Sequence, residues 1–212
     1  MLQFLRQNLV YSSLILVLAT SCKTYKLTDV KPVSIAEKVV ENLYFSSNGD
    51  YVYKCQIDIY KNHVSGILII KKLNETTHRV VLTSDFGNKL IDFEIADNDF
   101  KINYVLPDLD KKIVINFLKN DFRQLLRRQY PVSESFVNDH SRIYLSRIDN
   151  KSYYLFFNKD NGLLKQIIYT RNSREKIDFT FEAKKPIFAD SLNLHHKDFK
   201  INIKLFQITE TE

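Results

Sequence analysis

The sequence predicts a mainly β fold with helices, an α+β chain built on an antiparallel sheet. Three observations lead there. Twelve Tyr and fifteen Phe, with no Trp, suit a pleated, half-buried surface on which aromatic and β-branched side chains pack well. Segments with an apolar residue at every second position recur along the chain, which is the period of a strand with one buried face. The segments are joined by connections of a few residues, which link consecutive strands antiparallel.

Composition sets the outer bounds. A 212-residue chain that is 44% hydrophobic and 26% charged is not disordered, and its length suits one domain. Mean hydropathy is −0.25, which excludes a polytopic membrane protein. The first residues read as an address. Arg6 is the only charged side chain before Lys23, the apolar run Leu14–Ala19 follows it, and Thr20-Ser21-Cys22 closes the segment. A basic start, a short apolar stretch and small residues make a secretory leader over 1–21. The stretch is shorter than the roughly 20 residues a membrane-spanning helix needs. Ala19-Thr20-Ser21-Cys22 resembles the lipoprotein signal, an aliphatic residue and two small ones before Cys, with Leu18 standing one position early. That resemblance makes Cys22 the mature N-terminus, acylated with chains such as palmitate, and residues 22–33 a lipidated tether. Several acyl chains anchor a protein durably, because each buried methylene adds about 0.8 kcal/mol.

The remaining 34–212 read as a single domain. Ser34-Ile35-Ala36-Glu37 has the form of a capping box, and Ile35, Val39, Val40 and Leu43 recur at helical spacing, so a helix is expected over 34–45. Strands are expected at 51–60, 63–73, 78–84, 89–95 and 100–106. Tyr51, Tyr53, Cys55 and Ile57 share one face of the first, which makes Cys55 a buried structural thiol. After Pro107, Asp108 or Asp110 can cap a helix over 108–129. Ile113, Val114, Phe117, Leu118, Phe122, Leu125 and Leu126 form its apolar face. Residues 132–141 read as polar and irregular. Strands resume at 142–148, 152–157, 163–171, 176–183, 187–194 and 199–208, for about eleven in all.

Chemistry-bearing motifs are sparse. No G-x-S-x-G, H-E-x-x-H or phosphate-binding loop occurs. Cys55 has no His partner that would make it a nucleophile. His195 and His196 are adjacent, so on a strand they would point to opposite faces and make poor joint ligands; they read as exposed loop residues. We therefore expect no catalytic residue, no metal and no cofactor. Lys119, Arg123, Arg127 and Arg128 form a basic stretch late in the long helix, either a solvated face or a contact for anionic headgroups. The net charge is +6, but an exported lipoprotein is not expected to meet nucleic acid.

The lipidated Cys, the leading helix, about eleven antiparallel strands and the mid-chain helix together resemble the LolA/LolB-like superfamily. Two stretches add to this: Val64–Leu73 followed by His78–Leu82 and Phe86-Gly87-Asn88-Lys89-Leu90-Ile91, and Asp160-Asn161-Gly162-Leu163-Leu164-Lys165-Gln166-Ile167. The resemblance implies a strongly curved antiparallel half-barrel covered by a lid helix, here the 108–129 helix. It implies an apolar cavity that takes acyl chains of lipids or lipoproteins without catalysis. Ile113, Phe117, Leu118, Phe122 and Leu125 are the expected lining. The nearest candidate for the exposed apolar loop residue with which such proteins insert acyl chains is Phe86. With Lys23 after Cys22 and no acidic cluster following, the expected location is the outer membrane, facing the periplasm. The alternative is an interaction lipoprotein with a filled core that docks to envelope protein partners.

Overall fold

The computed structural model describes residues 24–208. The leader and Cys22 lie outside them. Two short strands come first, β1 (Lys31–Val33) and β2 (Val39–Glu41). A meander follows: β3 (Asp50–Ile59), β4 (Asn62–Lys72), β5 (His78–Ser84), β6 (Lys89–Ile95) and β7 (Phe100–Val105). A 3-10 turn at Pro107–Leu109 leads to the helix α1 (Lys112–Leu125). After it come β8 (Gln129–Pro131) and β9 (Glu134–Val137). The second meander is β10 (Ser141–Ile148), β11 (Lys151–Asn158), β12 (Leu164–Arg171), β13 (Arg174–Glu182), β14 (Ser191–His196) and β15 (Ile201–Gln207).

Thirteen of these strands form one antiparallel sheet, ordered β1-β9-β10-β11-β12-β13-β14-β15-β3-β4-β5-β6-β7, while β2 and β8 pair separately. The two meanders join where β15 pairs with β3, from Ile201↔Ile59 to Gln207↔Tyr53. The expected strands therefore stand, most within two residues of their predicted ends. The mainly β class stands with them.

Alternation places the core. Tyr51, Tyr53 and Cys55 are buried while Val52 and Lys54 are not, as the two-residue period requires. Their partners on β4 and β5, Leu68, Ile70, Val80 and Leu82, lie in the same cluster as Phe122 and Leu125 of α1 and Leu155, Ile167, Phe179 and Leu194 of the second meander. One apolar interior is thus shared by both arms of the sheet and the helix. Burying Phe122 and Leu125 contributes about 1.5–3 kcal/mol each.

Four expectations are corrected. No helix forms over 34–45. That segment instead holds β2, paired Val40↔Tyr130 with β8, and Ile35 and Val39 are exposed. The β-branched Ile and Val residues gain little from a helix, and Asn42 gains a tertiary role: its Nδ2 donates to the Leu125 carbonyl at 3.0 Å, and its backbone N–H donates to the Arg128 carbonyl at 2.8 Å. The first of these bonds satisfies a carbonyl of the last turn of α1, which ends at Leu125, earlier than its apolar periodicity suggests. At its start, Lys111 is the N-cap residue and makes no side-chain cap, so neither Asp108 nor Asp110 caps α1. The segment 132–141 contains β9, which pairs with both β1 and β10. Finally, β14 reaches His196, so the two histidines lie on a strand rather than in a loop. They do point to opposite faces: His195 is exposed and His196 buried.

Candidate functional site

The helix α1 is anchored unequally. Its C-terminal half buries Asp121, Phe122, Gln124 and Leu125. The Phe122 ring stands 5.4 Å from that of Phe93 on β6, Gln124 accepts a 2.6 Å hydrogen bond at Oε1 from the Tyr153 hydroxyl, and Tyr130 and Tyr153 stack edge to face at 5.2 Å. The space beneath this half is filled. The N-terminal half sits more loosely, and Ile113 is 58% exposed.

Open volume lies in clefts on either side. Beyond the C-terminal end is a cleft of about 540 Å³. Its walls include Tyr44, Phe45 and Leu126, but also Glu75, Asp97, Arg127 and Arg128, so it is charged. At the N-terminal half are an open groove of about 500 Å³ and a cleft of about 320 Å³ that share Phe117, Asn120 and Phe199. The larger is walled by Ile113, Phe117 and Phe199, with Lys112 and Asn116 at its border. The smaller, inner one passes over Tyr169 and Ile177 and is also bordered by Lys151, Arg171, Lys176 and Asp198, so it is charged as well. The Phe117 ring is edge-on to Phe199 at 5.1 Å and to His196 at 5.4 Å.

At the floor of the inner cavity, His196 Nε2 lies 2.9 Å from Asp121 Oδ2, and both side chains are buried. The other Asp121 oxygen, Oδ1, has no hydrogen-bond partner. Burial pushes the Asp121 carboxyl above the usual carboxylate range, against the opposing pull of His196. The pair ties α1 to β14. Sequence reasoning missed it. Its one visible signal was Asp121 one turn beyond Phe117, a carboxylate set in an apolar face.

The five lining residues expected from sequence fall into two groups. Ile113 and Phe117 border the cleft. Phe122 and Leu125 are core, and Leu118 packs against that core. The four basic residues make separate local contacts. Lys119 Nζ sits 5.7 Å from the Phe100 ring centre and the Arg127 guanidinium 5.7 Å from that of Tyr153. Arg123 donates to the carbonyls of Ala96 and Asp99 at 3.2 and 3.1 Å. Arg128 pairs with Glu41 at 3.3 Å and Glu75 at 3.6 Å.

Phe86 stands at the tip of the β5–β6 hairpin and is 93% exposed. The turn beneath it is held: Asp85 pairs with Lys54 and accepts a 2.6 Å bond from Ser65. Gly87 takes φ 81°, a left-handed conformation open to glycine. Among the described residues, no cluster of His, Cys, Asp and Glu could hold a metal ion, and no helix is long and apolar enough to cross a membrane.

This arrangement, a large antiparallel sheet with one helix on its buried face, is a LolA-like fold. A LolA superfamily protein from Nitrosomonas europaea superposes with a TM-score of 0.53 over 79% of this chain and 87% of its own, at 7% identity. Two further solved structures are similar at a TM-score of 0.43. One is a DUF1329 family protein from Desulfovibrio piger, 8% identical over 78% of this chain and 86% of its own. The other is a domain from Vibrio parahaemolyticus named for outer-membrane lipoprotein sorting, 6% identical over 77% and 85%. At these identities the likeness is one of fold. No family model and no curated protein matches the sequence.

Proposed function

We propose that this chain is an outer-membrane lipoprotein, anchored through Cys22 and facing the periplasm, that binds acyl chains of lipids or lipoproteins without catalysis. The observation that carries the reading is the cleft of about 500 Å³ walled by Ile113, Phe117 and Phe199, beside the less buried half of α1. Its size is that of a small-molecule pocket, and apolar walls of this kind hold a ligand through buried area with few polar groups. The chain enters between Ile113 and Phe199. The Phe117–Phe199 ring pair is the stopper, and swinging Phe117 aside joins the cleft to the inner cavity over Tyr169 and Ile177. The firmly packed Phe122–Leu125 turn is the hinge side. Phe86, presented on a braced turn, is the apolar tip that hands a chain to or from the bilayer.

The test uses a chain begun at Thr24, which keeps every strand, the helix and the whole core. The protein is purified from cells, extracted with organic solvent and examined for lipid by mass spectrometry. The reading expects about one acyl chain per protein, lost in Phe117→Asp. A lipid-free protein selects the second reading, an interaction lipoprotein that docks to an envelope partner. What favours that reading is the filled space beneath the C-terminal half of α1 together with the unpaired edge strand β7, whose Ile102 and Tyr104 are exposed.

A further inference from the structure

The strand registers gather five turns at one end of the sheet: β3–β4, β5–β6, β10–β11, β12–β13 and β14–β15. Three independent features mark this end. First, it is where the chain enters the fold. The Tyr25 N–H donates to the Ser173 carbonyl in the β12–β13 turn at 2.8 Å. Cys22 precedes Tyr25 by three residues, a span that reaches at most about 11 Å, so an anchor at Cys22 holds this end toward the bilayer.

Second, its cations are in excess. Lys151 and Arg171 stand directly opposite each other on β11 and β12, and both border the inner cavity. Like charges so placed repel, yet neither makes an ion pair among the described residues, and nor do Lys61, Lys112 and Lys200. The nearby carboxylates are mostly engaged, Glu175 with Lys197, Asp198 with Lys176, Asp58 with His63 and Asp85 with Lys54. Asp149 in these turns, and Asp108 and Asp110 just before Lys112, make no ion pair among the described residues. Third, the end exposes large apolar side chains: Phe86, Tyr60 at 61% and Phe199 at 42%.

We propose that this end is a docking surface for an anionic phospholipid bilayer, with headgroup phosphates drawn to Lys151 and Arg171 and the rings of Tyr60, Phe86 and Phe199 set into the interface. The inference rests on the reading of a tethered, acyl-binding chain and deepens it, because it turns the mouth of the apolar cleft toward the lipid it takes up. Basic residues near such a surface add attraction roughly one by one, and a phosphate between Lys151 and Arg171 removes their mutual repulsion.

The experiment is co-sedimentation of the chain begun at Thr24 with vesicles of phosphatidylcholine alone, and of phosphatidylcholine with one third phosphatidylglycerol. The expected result is binding to the anionic vesicles only, weakened by salt. Lys151→Gln with Arg171→Gln should lower it about tenfold or more, whereas Lys159→Gln with Lys184→Gln, at the far end, should leave it unchanged. Tyr60→Ser with Phe86→Ser gives a second loss that leaves the charge intact. No vesicle binding, equal binding to both compositions, or equal loss in the far-end variant overturns the proposal. A fatty-acid probe titrated in parallel separates the two readings. A protein that binds the probe but not the vesicles has the cleft without the docking surface.

Discussion

Asp121 on α1 and His196 on β14 meet at 2.9 Å with both side chains buried, and they tie the helix to the sheet beside the cleft. Removing one partner of a buried hydrogen-bonded pair leaves the other unsatisfied, at a cost of about 1–3 kcal/mol. We expect His196→Ala to lower the urea midpoint accordingly. Asp121→Leu with His196→Leu should recover much of the loss, since replacing both partners of a buried hydrogen bond by apolar groups of similar shape costs little. If the double variant is as unstable as the single, packing around Phe117 rather than the pair sets the stability.

Asp92 makes stability depend on acid. Its buried carboxylate accepts from Arg79 Nε and Nη2 at 2.9 and 2.7 Å and from Lys89 at 3.1 Å, and the Arg79 bonds hold its pKa far below the carboxylate range. The folded value lies below the unfolded one, so its stabilisation is complete above about pH 4 and fades as pH falls further. Asp92→Asn should cost about 1–3 kcal/mol at pH 7, and its gap from the parent should narrow toward pH 2. A gap that stays constant with pH would show that the shape of the site matters and its charge does not.

Cys55 should be inert in the native protein. Burial on β3 pushes its thiol up to about 12, so at pH 8 almost no thiolate is present to react. In the chain begun at Thr24, a thiol reagent should therefore label Cys55 only at the rate of unfolding, and at once in denaturant. Fast labelling of the folded protein would mean that the interior opens locally.

Gly66 on β4 stands opposite Ser84 of β5. A Cβ there would collide with the Thr83 carbonyl, and backbone cannot swing away as a side chain can. Gly66→Ala should destabilise by about 1–3 kcal/mol, the usual cost of overpacking, read from thermal melting.

How far the sequence carried depended on whether a signal was local. The span Tyr51–Tyr60 showed its two-residue period plainly, and so did the strands on either side of the turns at 60–61 and 85–88. The helix was legible from Phe117, Phe122 and Leu125 for the same reason. The segment 34–45 misled because its capping box is local, while the pairing of Val40 with Tyr130 and the bonds from Asn42 to Leu125 and Arg128 span more than eighty residues. The Asp121–His196 pair joins residues 75 apart, beyond the reach of any periodicity. The basic stretch Lys119–Arg128 looked continuous along the chain, but each side chain finds its own neighbour. Lys151 and Arg171, two of the cations left without ion pairs, come together only through strand register.

The central claim is that an acyl chain occupies the cleft of Ile113, Phe117 and Phe199, and titration with a fluorescent fatty acid tests it most directly. Saturable binding to the lipid-stripped chain is expected, displaced by unlabelled fatty acid. Phe117→Asp should weaken it at least tenfold, and Ile113→Asp, at a wall residue that is largely exposed, should do so while leaving the melting temperature near that of the parent. Lys72→Gln, in the charged cleft at the other end of α1, should leave it unchanged. Non-saturable binding, or full affinity in Phe117→Asp, would contradict it.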